Sequence, residues 1–399
     1  MKTYRVTVFD SEGSNPRLRW WVPDSHAPVE RSLVVDEVKS WVAEVENSYR
    51  VGGLGLDVLG KRLFNWLDGP TDRWVSRARE QEQGFALQID GSEGLRALPW
   101  ELLYANGFLS VARHHPVEPI RTSSDRKPQA RNPPNRPLRV LFMACSPLEV
   151  APVLDFEAEE AAILQASTGR VDLVVEESGS LAGLNDLLGR FGQGYFDVLH
   201  LSGHAVIAET GPCFVMESPE GARRDASAQD IARAIGPNWP GLLFVSGCST
   251  AVAIDGGAAS SMAEALVEAG APCVLGWSLP VGDVAASTLA ATLYRELGDG
   301  ANVARAVGAA RADLFDAASP YWHLLRVFSD LSPIGQLVTT RGTKDRPLLH
   351  ARPAGRSFSD RQGPLKVADG SSFIGRRREL QRLLRELRPD NPADGPQIA

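Results

Sequence analysis

The chain has little cysteine and no long apolar run. Its four cysteines, Cys145, Cys213, Cys248 and Cys273, form no C-x-x-C pair and lack the spacing of a zinc site or a disulfide scaffold. Reduced thiols are therefore expected, with no metal and no disulfide framework. No apolar stretch reaches the length of a signal core or a membrane span, and the opening MKTYRVTVFD alternates like a strand. The expectation is a cytoplasmic protein with no membrane partner. Positive charge is also in deficit, since 42 Lys and Arg against 49 Asp and Glu leave a net charge of −7. That balance lacks the basic footprint that holds phosphate backbones, so no nucleic-acid partner is expected. No G-x-x-x-x-G-K-[ST] occurs anywhere, so no nucleotide cofactor is assigned.

What is present is an ordinary globular composition. At 399 residues, with 43% apolar and 23% charged, the chain can build two or three domains around sizeable cores. Residues 1–125 mix a strand with Tyr4, Val6 and Val8 on one face, a helix marked by Val38, Trp41, Val42 and Val45, and a second helix near Leu56 to Leu67. This small α+β unit closes with LPWELLYANGFLSVARHHPVEPIR (98–121) and is followed by RKPQARNPPNRP (126–137), whose proline and charge mark a linker. A boundary is expected near residue 130.

From Leu138 onward short apolar runs alternate with helical stretches. LRVLFMAC, VDLVVEE, YFDVLHL, GLLFVS, PCVLGWS and WHLLRVF have the look of strands. Between them fall helices capped by Asp155 and Ser180, then SAQDIARAI, SSMAEALVEAG with its glycine stop, and two helices near 284–297 and 302–316. Alternation of this kind predicts an α/β unit with about six strands in a mostly parallel sheet and helices on both faces.

Open parallel sheets place their working groups beyond the carboxyl ends of the strands. Two ends stand out, because FDVLHL runs into Ser202-Gly203-His204 and GLLFV runs into Ser246-Gly247-Cys248. The shared Ser-Gly predicts a sharp turn that leaves each reactive side chain exposed at the rim. Cysteine catalysis needs a thiolate, a base and donors for an oxyanion. Cys248 and His204 supply the first two. The backbone amides of Cys248 and the turn after it, with the amide of Ala205, are the candidate oxyanion donors. His204 precedes Cys248 by 44 residues, near the caspase order in which histidine lies about 50 residues upstream. Cys145, Cys213 and Cys273 are expected in the core, His200 is expected to be a satisfied core histidine, and His114, His115 and His350 belong to surface loops.

These residues carry a family resemblance. The stretches FDVLHLSGHA, LLFVSGCST, PCVLGWSLPVGDVAASTLAATLYREL and NVARAVGAARADL resemble the CHAT domain, a caspase-like cysteine protease family related to separase. The segment LPWELLYANGFLSVARHHPVEPIR is similar to the one that precedes the catalytic half in such proteins. The resemblance covers most of residues 1–335 and is strongest over 95–330. It implies a caspase-hemoglobinase-like three-layer sandwich, with the N-terminal α+β region as a support or pseudo-protease half. It also implies a cysteine endopeptidase with His204 and Cys248 as its dyad and a protein substrate as its partner. Ala205 stands where a glycine often follows the histidine, and Gly247 where an alanine often precedes the cysteine. Asp283 matches an aspartate that borders the S1 pocket in separase-like relatives, which would favour a basic P1 residue. Asp283 is equally well placed to cap the helix that follows it. Asp255, in AIDGGAASS, is an alternative rim of the same pocket.

Residues 340–372 have the composition of a linker. From residue 373, FIGRRRELQRLLREL sets Leu380, Leu383, Leu384 and Leu387 on one helical face and resembles the opening just before the P-loop of signal-transducing NTPases. The expected domains are thus 1–130, 138–335, a linker over 340–372, and the start of an NTPase domain over 373–399. Attached NTPase and sensor domains would then regulate the peptidase, in bacterial defence or cell-death signalling. A simple amphipathic surface helix is the alternative for the last segment. For the whole, the alternative is a CHAT-like scaffold that cleaves nothing and couples to an NTPase. A small-molecule thiol hydrolase is disfavoured by the order of histidine and cysteine.

Overall fold

The computed structural model describes residues 1–9, 16–32, 55–91, 93–122, 132–167, 169–209, 211–218, 221–247, 258–330, 335–339, 357–360 and 363–366. In chain order the first elements are β1 (Lys2–Phe9), β2 (Arg17–Trp21), β3 (Val29–Ser32), α1 (Leu56–Asp68), α2 (Trp74–Gln81), β4 (Phe85–Asp90), α3 (Glu93–Ala97) and β5 (Val117–Thr122). There follow β6 (Leu138–Ala144), α4 (Phe156–Ala166), β7 (Val171–Glu176), α5 (Leu181–Phe191), β8 (Val198–Ala208), β9 (Gly211–Glu217), β10 (Arg223–Ser227) and α6 (Ala228–Ile235). The series continues with β11 (Leu242–Gly247), α7 (Ala258–Ala269), β12 (Cys273–Trp277), α8 (Asp283–Gly298), α9 (Val303–Asp316) and β13 (Leu325–Ser329). A separate hairpin, β14 (Ser357–Asp360) with β15 (Gly363–Lys366), forms inside the segment whose composition suggested a linker. The expected helix around Val38 to Val45 and the segment 373–399 lie outside the described residues.

The six strands expected from the alternation all form. Their order is β7-β6-β8-β11-β12-β13, parallel throughout except for β13, which runs against β12. Central strands of such a sheet are covered on both faces, which is why they are written as unbroken apolar runs. Along β6, Val140, Phe142 and Ala144 enter one core while Leu141, Met143 and Cys145 enter the other. The first core takes Ile163 of α4, Leu289 and Leu293 of α8 and Val307 of α9. The second takes Leu184 of α5, Ile231 of α6 and Leu266 of α7. The protein is an α/β sandwich with a mostly parallel sheet between two helical layers.

Local capping follows the expectations. Asp155 accepts a hydrogen bond from the Ala158 amide at 3.1 Å and Ser180 one from the Gly183 amide at 3.0 Å, which satisfies donors that the first helical turn leaves open. Ser227 and Asp230 add a reciprocal capping box on α6.

The sheet does not stop at β13. Phe328 and Ser329 pair in parallel with Arg121 and Thr122 of β5, and the order runs on through β4, β1, β2 and β3. Arg121 is fully buried at this seam and grips Glu101 with two bonds of 2.6 and 2.9 Å. From α9, the equally buried Arg311 bonds Glu118 at 2.5 Å and the Leu325 carbonyl at 2.7 Å. Burial alone would raise the Glu101 pKa, but Arg121 and Arg311 together pull it below the ordinary value. Burial outweighs the pull of Arg311 on Glu118, whose pKa rises to about 8. The segment LPWELLYANGFLSVARHHPVEPIR thus supplies Glu101, Glu118 and Arg121 to one internal charge cluster that ties the N-terminal strands to α9 and β13.

Candidate active site

The geometry of the site starts from the ladder between β8 and β11. Ser202 is in register with Ser246 and Gly203 with Gly247. The next residue on one chain path is His204 and on the other Cys248. Cys248 itself, and Asp255, lie outside the described residues.

On β8, His200, Ser202 and His204 share a face, since strand side chains alternate. That face looks toward α4 and α8. His204 is 3% exposed, and its Nε2 lies 3.0 Å from the carbonyl oxygen of Pro152, in the segment leading into α4. A carbonyl only accepts, so Nε2 carries the proton and donates. In the neutral ring this makes Nδ1 the basic nitrogen.

The strand ends differ from expectation in one respect. The sequence pattern predicted a sharp turn at Ser202-Gly203 and an exposed His204, but β8 continues unbroken to Ala208 and His204 is buried. The reason is β9, which folds back and pairs with β8 from His204 to Ala208, giving the backbone a partner beyond the sheet. Gly203 serves close approach and no turn. A Cβ there would sit 2.8 Å from the Phe214 ring and 3.1 Å from the Cys145 carbonyl. At Gly247 it would sit 3.2 Å from the Ala205 Cβ and 3.4 Å from the Ala205 nitrogen. Ala205, the candidate oxyanion donor, is fully buried and registered with Phe214.

Beneath His204 lies a polar pocket in the sandwich. The Ser202 hydroxyl donates to Glu159 Oε2 at 2.6 Å, while Glu159 Oε1 stands 3.5 Å from His200 Nε2 and makes no hydrogen bond. Burial pushes the Glu159 carboxyl up to about 7, with the Ser202 hydrogen bond opposing and Asp283 adding to the rise. Burial lowers the His200 pKa to about 3, so its contact with Glu159 is no ion pair at neutral pH. A hollow of ≈ 10 Å³, among Leu154, Asp155, Glu159, Ser202, Ser246 and Asp283, has room for about one water.

Two residues take different parts from those expected, and two more were not foreseen. His200 is a core residue stacked on Phe244 with ring centroids 4.6 Å apart, but neither ring nitrogen has a hydrogen bond, so it is not a satisfied histidine. Asp283 is the first residue of α8 and Gly282 the cap, with no side-chain capping bond. The cap reading for Asp283 therefore fails, and its Oδ2 instead faces the Asp155 amide at 3.5 Å. Glu159 was not singled out in the sequence at all. Its signal was an acid in the stripe Phe156, Glu159, Ile163, at the spacing of a core-facing helix side. Pro152 was also missed, because it acts through a backbone oxygen that any residue carries.

Cys145, Cys213 and Cys273 are buried, as expected for core thiols. Burial drives the Cys273 pKa far above the ordinary thiol value, with Asp330 adding to the rise. Among the described residues no group of three or more His, Cys, Asp or Glu is arranged to hold a metal ion, and no helix is long and apolar enough to cross a membrane.

The CHAT domain family model matches residues 57–334. No curated protein sequence is similar to the chain. Among solved structures, the separase–securin complex of Saccharomyces cerevisiae is similar over 62% of this chain and 15% of that one, at 14% identity and a TM-score of 0.36. The Arg-specific cysteine proteinase gingipain R is similar over 67% of each chain, at 10% identity and a TM-score of 0.40. The complex of pro- and mature domains of RgpB from Porphyromonas gingivalis covers 67% of this chain and 69% of that one, at 9% identity and a TM-score of 0.41. The present chain thus spans a small part of separase.

Proposed function

Since the chain belongs to the CHAT domain family, we propose that it is a cysteine endopeptidase in which His204 and Cys248 act together on a peptide bond. The observation that carries this reading is the register of Gly203 with Gly247. Each glycine is followed at once by one member of the pair. With neighbouring strands about 4.8 Å apart and successive Cα atoms about 3.8 Å apart, the two Cα atoms cannot be separated by more than about 12 Å, whatever path the chain takes after Gly247.

In this mechanism Nδ1 of His204 takes the proton of the Cys248 thiol, and the thiolate attacks the scissile carbonyl carbon. The Pro152 carbonyl holds the ring and stabilises the imidazolium through Nε2–H. The amides of Cys248 and Ala205 receive the oxyanion. The imidazolium then protonates the leaving amine, and water, deprotonated by the same histidine, releases the acid from the thioester. No metal or cofactor enters. Asp283, which lines the hollow beside the dyad face, is the proposed selector of a basic P1 side chain, with Asp255 the alternative. Control by NTPase and sensor domains, in a defence or cell-death setting within the cytoplasm, is proposed from the phrase FIGRRREL and the family resemblance.

The test is cleavage of fluorescently labelled casein and of a peptide mixture varied at P1, with mass spectrometry of the products. Cuts that vanish in Cys248→Ala and His204→Ala are expected. Wild-type silence, together with a Cys248 that reacts no faster with iodoacetamide than a free thiol, would replace the peptidase by a scaffold.

A further inference from the structure

The twin patterns Ser-Gly-His and Ser-Gly-Cys repeat more than their glycines. Ser202 and Ser246 stand opposite each other in the β8–β11 ladder, two residues before His204 and Cys248 and, by alternation, on the same face. One of the two hydroxyls meets a buried carboxyl. Ser202 donates to Glu159 Oε2 at 2.6 Å, and Ser246 lines the same small hollow. Glu159 is 4% exposed and comes from α4, a separate layer of the sandwich. A carboxyl in that position is costly to bury. Nothing in the packing of α4 requires it, since Ile163 on the same face makes an apolar contact with the core.

We infer that Glu159 is a positioning residue of the proposed peptidase, its carboxyl tying Ser202 to α4 so that the carboxyl end of β8, which bears His204, is held in place. The inference rests on the peptidase reading and deepens it. The lead-in of the same helix also carries Pro152, whose carbonyl orients His204. From α4 and its lead-in, therefore, one group sets the rotation of the imidazole and another anchors the strand that bears it. Ser202 lies one residue before Gly203, the last described residue of β8 paired with β11, so the tie acts next to His204. The groups facing Glu159 are His200 from β8, Asp283 and Tyr294 from α8, and Asp155 across the hollow. None of these is a cation at neutral pH, which leaves the Ser202 hydroxyl to hold the carboxyl in place.

The experiment compares casein and peptide cleavage by wild type, Glu159→Ala, Glu159→Gln, Ser202→Ala, and the double variant Glu159→Ala with Ser202→Ala, each checked for a cooperative melt. Glu159→Ala is expected to lower kcat by about 100-fold with KM nearly unchanged, the scale of an ångström-sized misplacement. Glu159→Gln keeps an oxygen that accepts from Ser202 and should recover kcat to within about tenfold of wild type. Removing Ser202 in the Glu159→Ala background should cost nothing further, because the two act through one contact. Iodoacetamide labelling of Cys248 in the folded protein gives a second readout, as the other three cysteines are buried, and its rate should fall in Glu159→Ala. Full activity in a well-folded Glu159→Ala, or a Gln variant as impaired as the Ala variant, overturns the positioning role while leaving the peptidase intact. A wild type whose cleavage survives Cys248→Ala overturns both.

Discussion

Gly203 and Gly247 lie side by side in the β8–β11 ladder, and the ring of Phe214 closes over both. The sequence chemistry of the site is therefore constrained from the face opposite the catalytic one. Gly203→Ala would push a methyl to 2.8 Å from that ring and 3.1 Å from the Cys145 carbonyl, which is backbone and yields little. A loss of about 1–3 kcal/mol is expected. Thermal or urea melts measure it, and Gly203→Ala with Phe214→Leu should regain part of the loss.

The seam cluster makes a larger effect. Arg121 is fully buried and bidentate to Glu101, so Arg121→Ala leaves a buried carboxylate facing Arg311 alone. A cost of about 3–5 kcal/mol is expected. Arg121→Lys should not restore stability, since an ammonium cannot span both carboxylate oxygens and the Leu98 carbonyl. Urea titration of both variants is the check.

Stability should also carry a pH signature from Glu159. Its carboxyl is raised from 4.5 to about 7 by burial, so the folded state binds this proton more tightly than the unfolded chain does. The stabilisation is complete below pH 4.5 and is lost as pH rises to about 7. Glu159→Gln has no such dependence. Relative to wild type, its melting temperature should rise between pH 5 and pH 8, and a difference that is flat in pH would show the carboxyl to be ionised throughout.

Specificity gives a fourth expectation. If Asp283 selects a basic P1 residue, Asp283→Asn should reduce cleavage after Arg and Lys by about tenfold or more, the weight of one charge-assisted bond. Cleavage after apolar residues should be little changed. The ratio of product peptides in the varied mixture decides it, and equal losses for all P1 types would remove Asp283 from the pocket.

Much of the architecture was legible because buried parallel strands must be written as apolar runs and helix starts need capping side chains. Asp155 and Ser180 mark their helices at the positions found. The pairing of β8 with β9 was hidden because Ser-Gly reads as a turn when only the local backbone is considered. The actual demand on Gly203 comes from Phe214, on another strand. Charge misled in a similar way. Glu101, Glu118, Arg121 and Glu159 look like surface residues singly, and only the tertiary arrangement supplies the partners that let them be buried. Strand order was equally illegible, since nothing local in Arg121 or Thr122 announces that β13 will be their neighbour.

That neighbourhood bears on where the chain can be cut. A fragment beginning at Leu138 would retain every strand on which His204 and Gly247 sit, yet β13 would become a bare edge, open to pairing with another molecule. It would also carry Arg311 into the interior stripped of Glu101 and Glu118. Trimming to the apparent catalytic half would yield an adhesive, self-associating particle in place of a smaller peptidase.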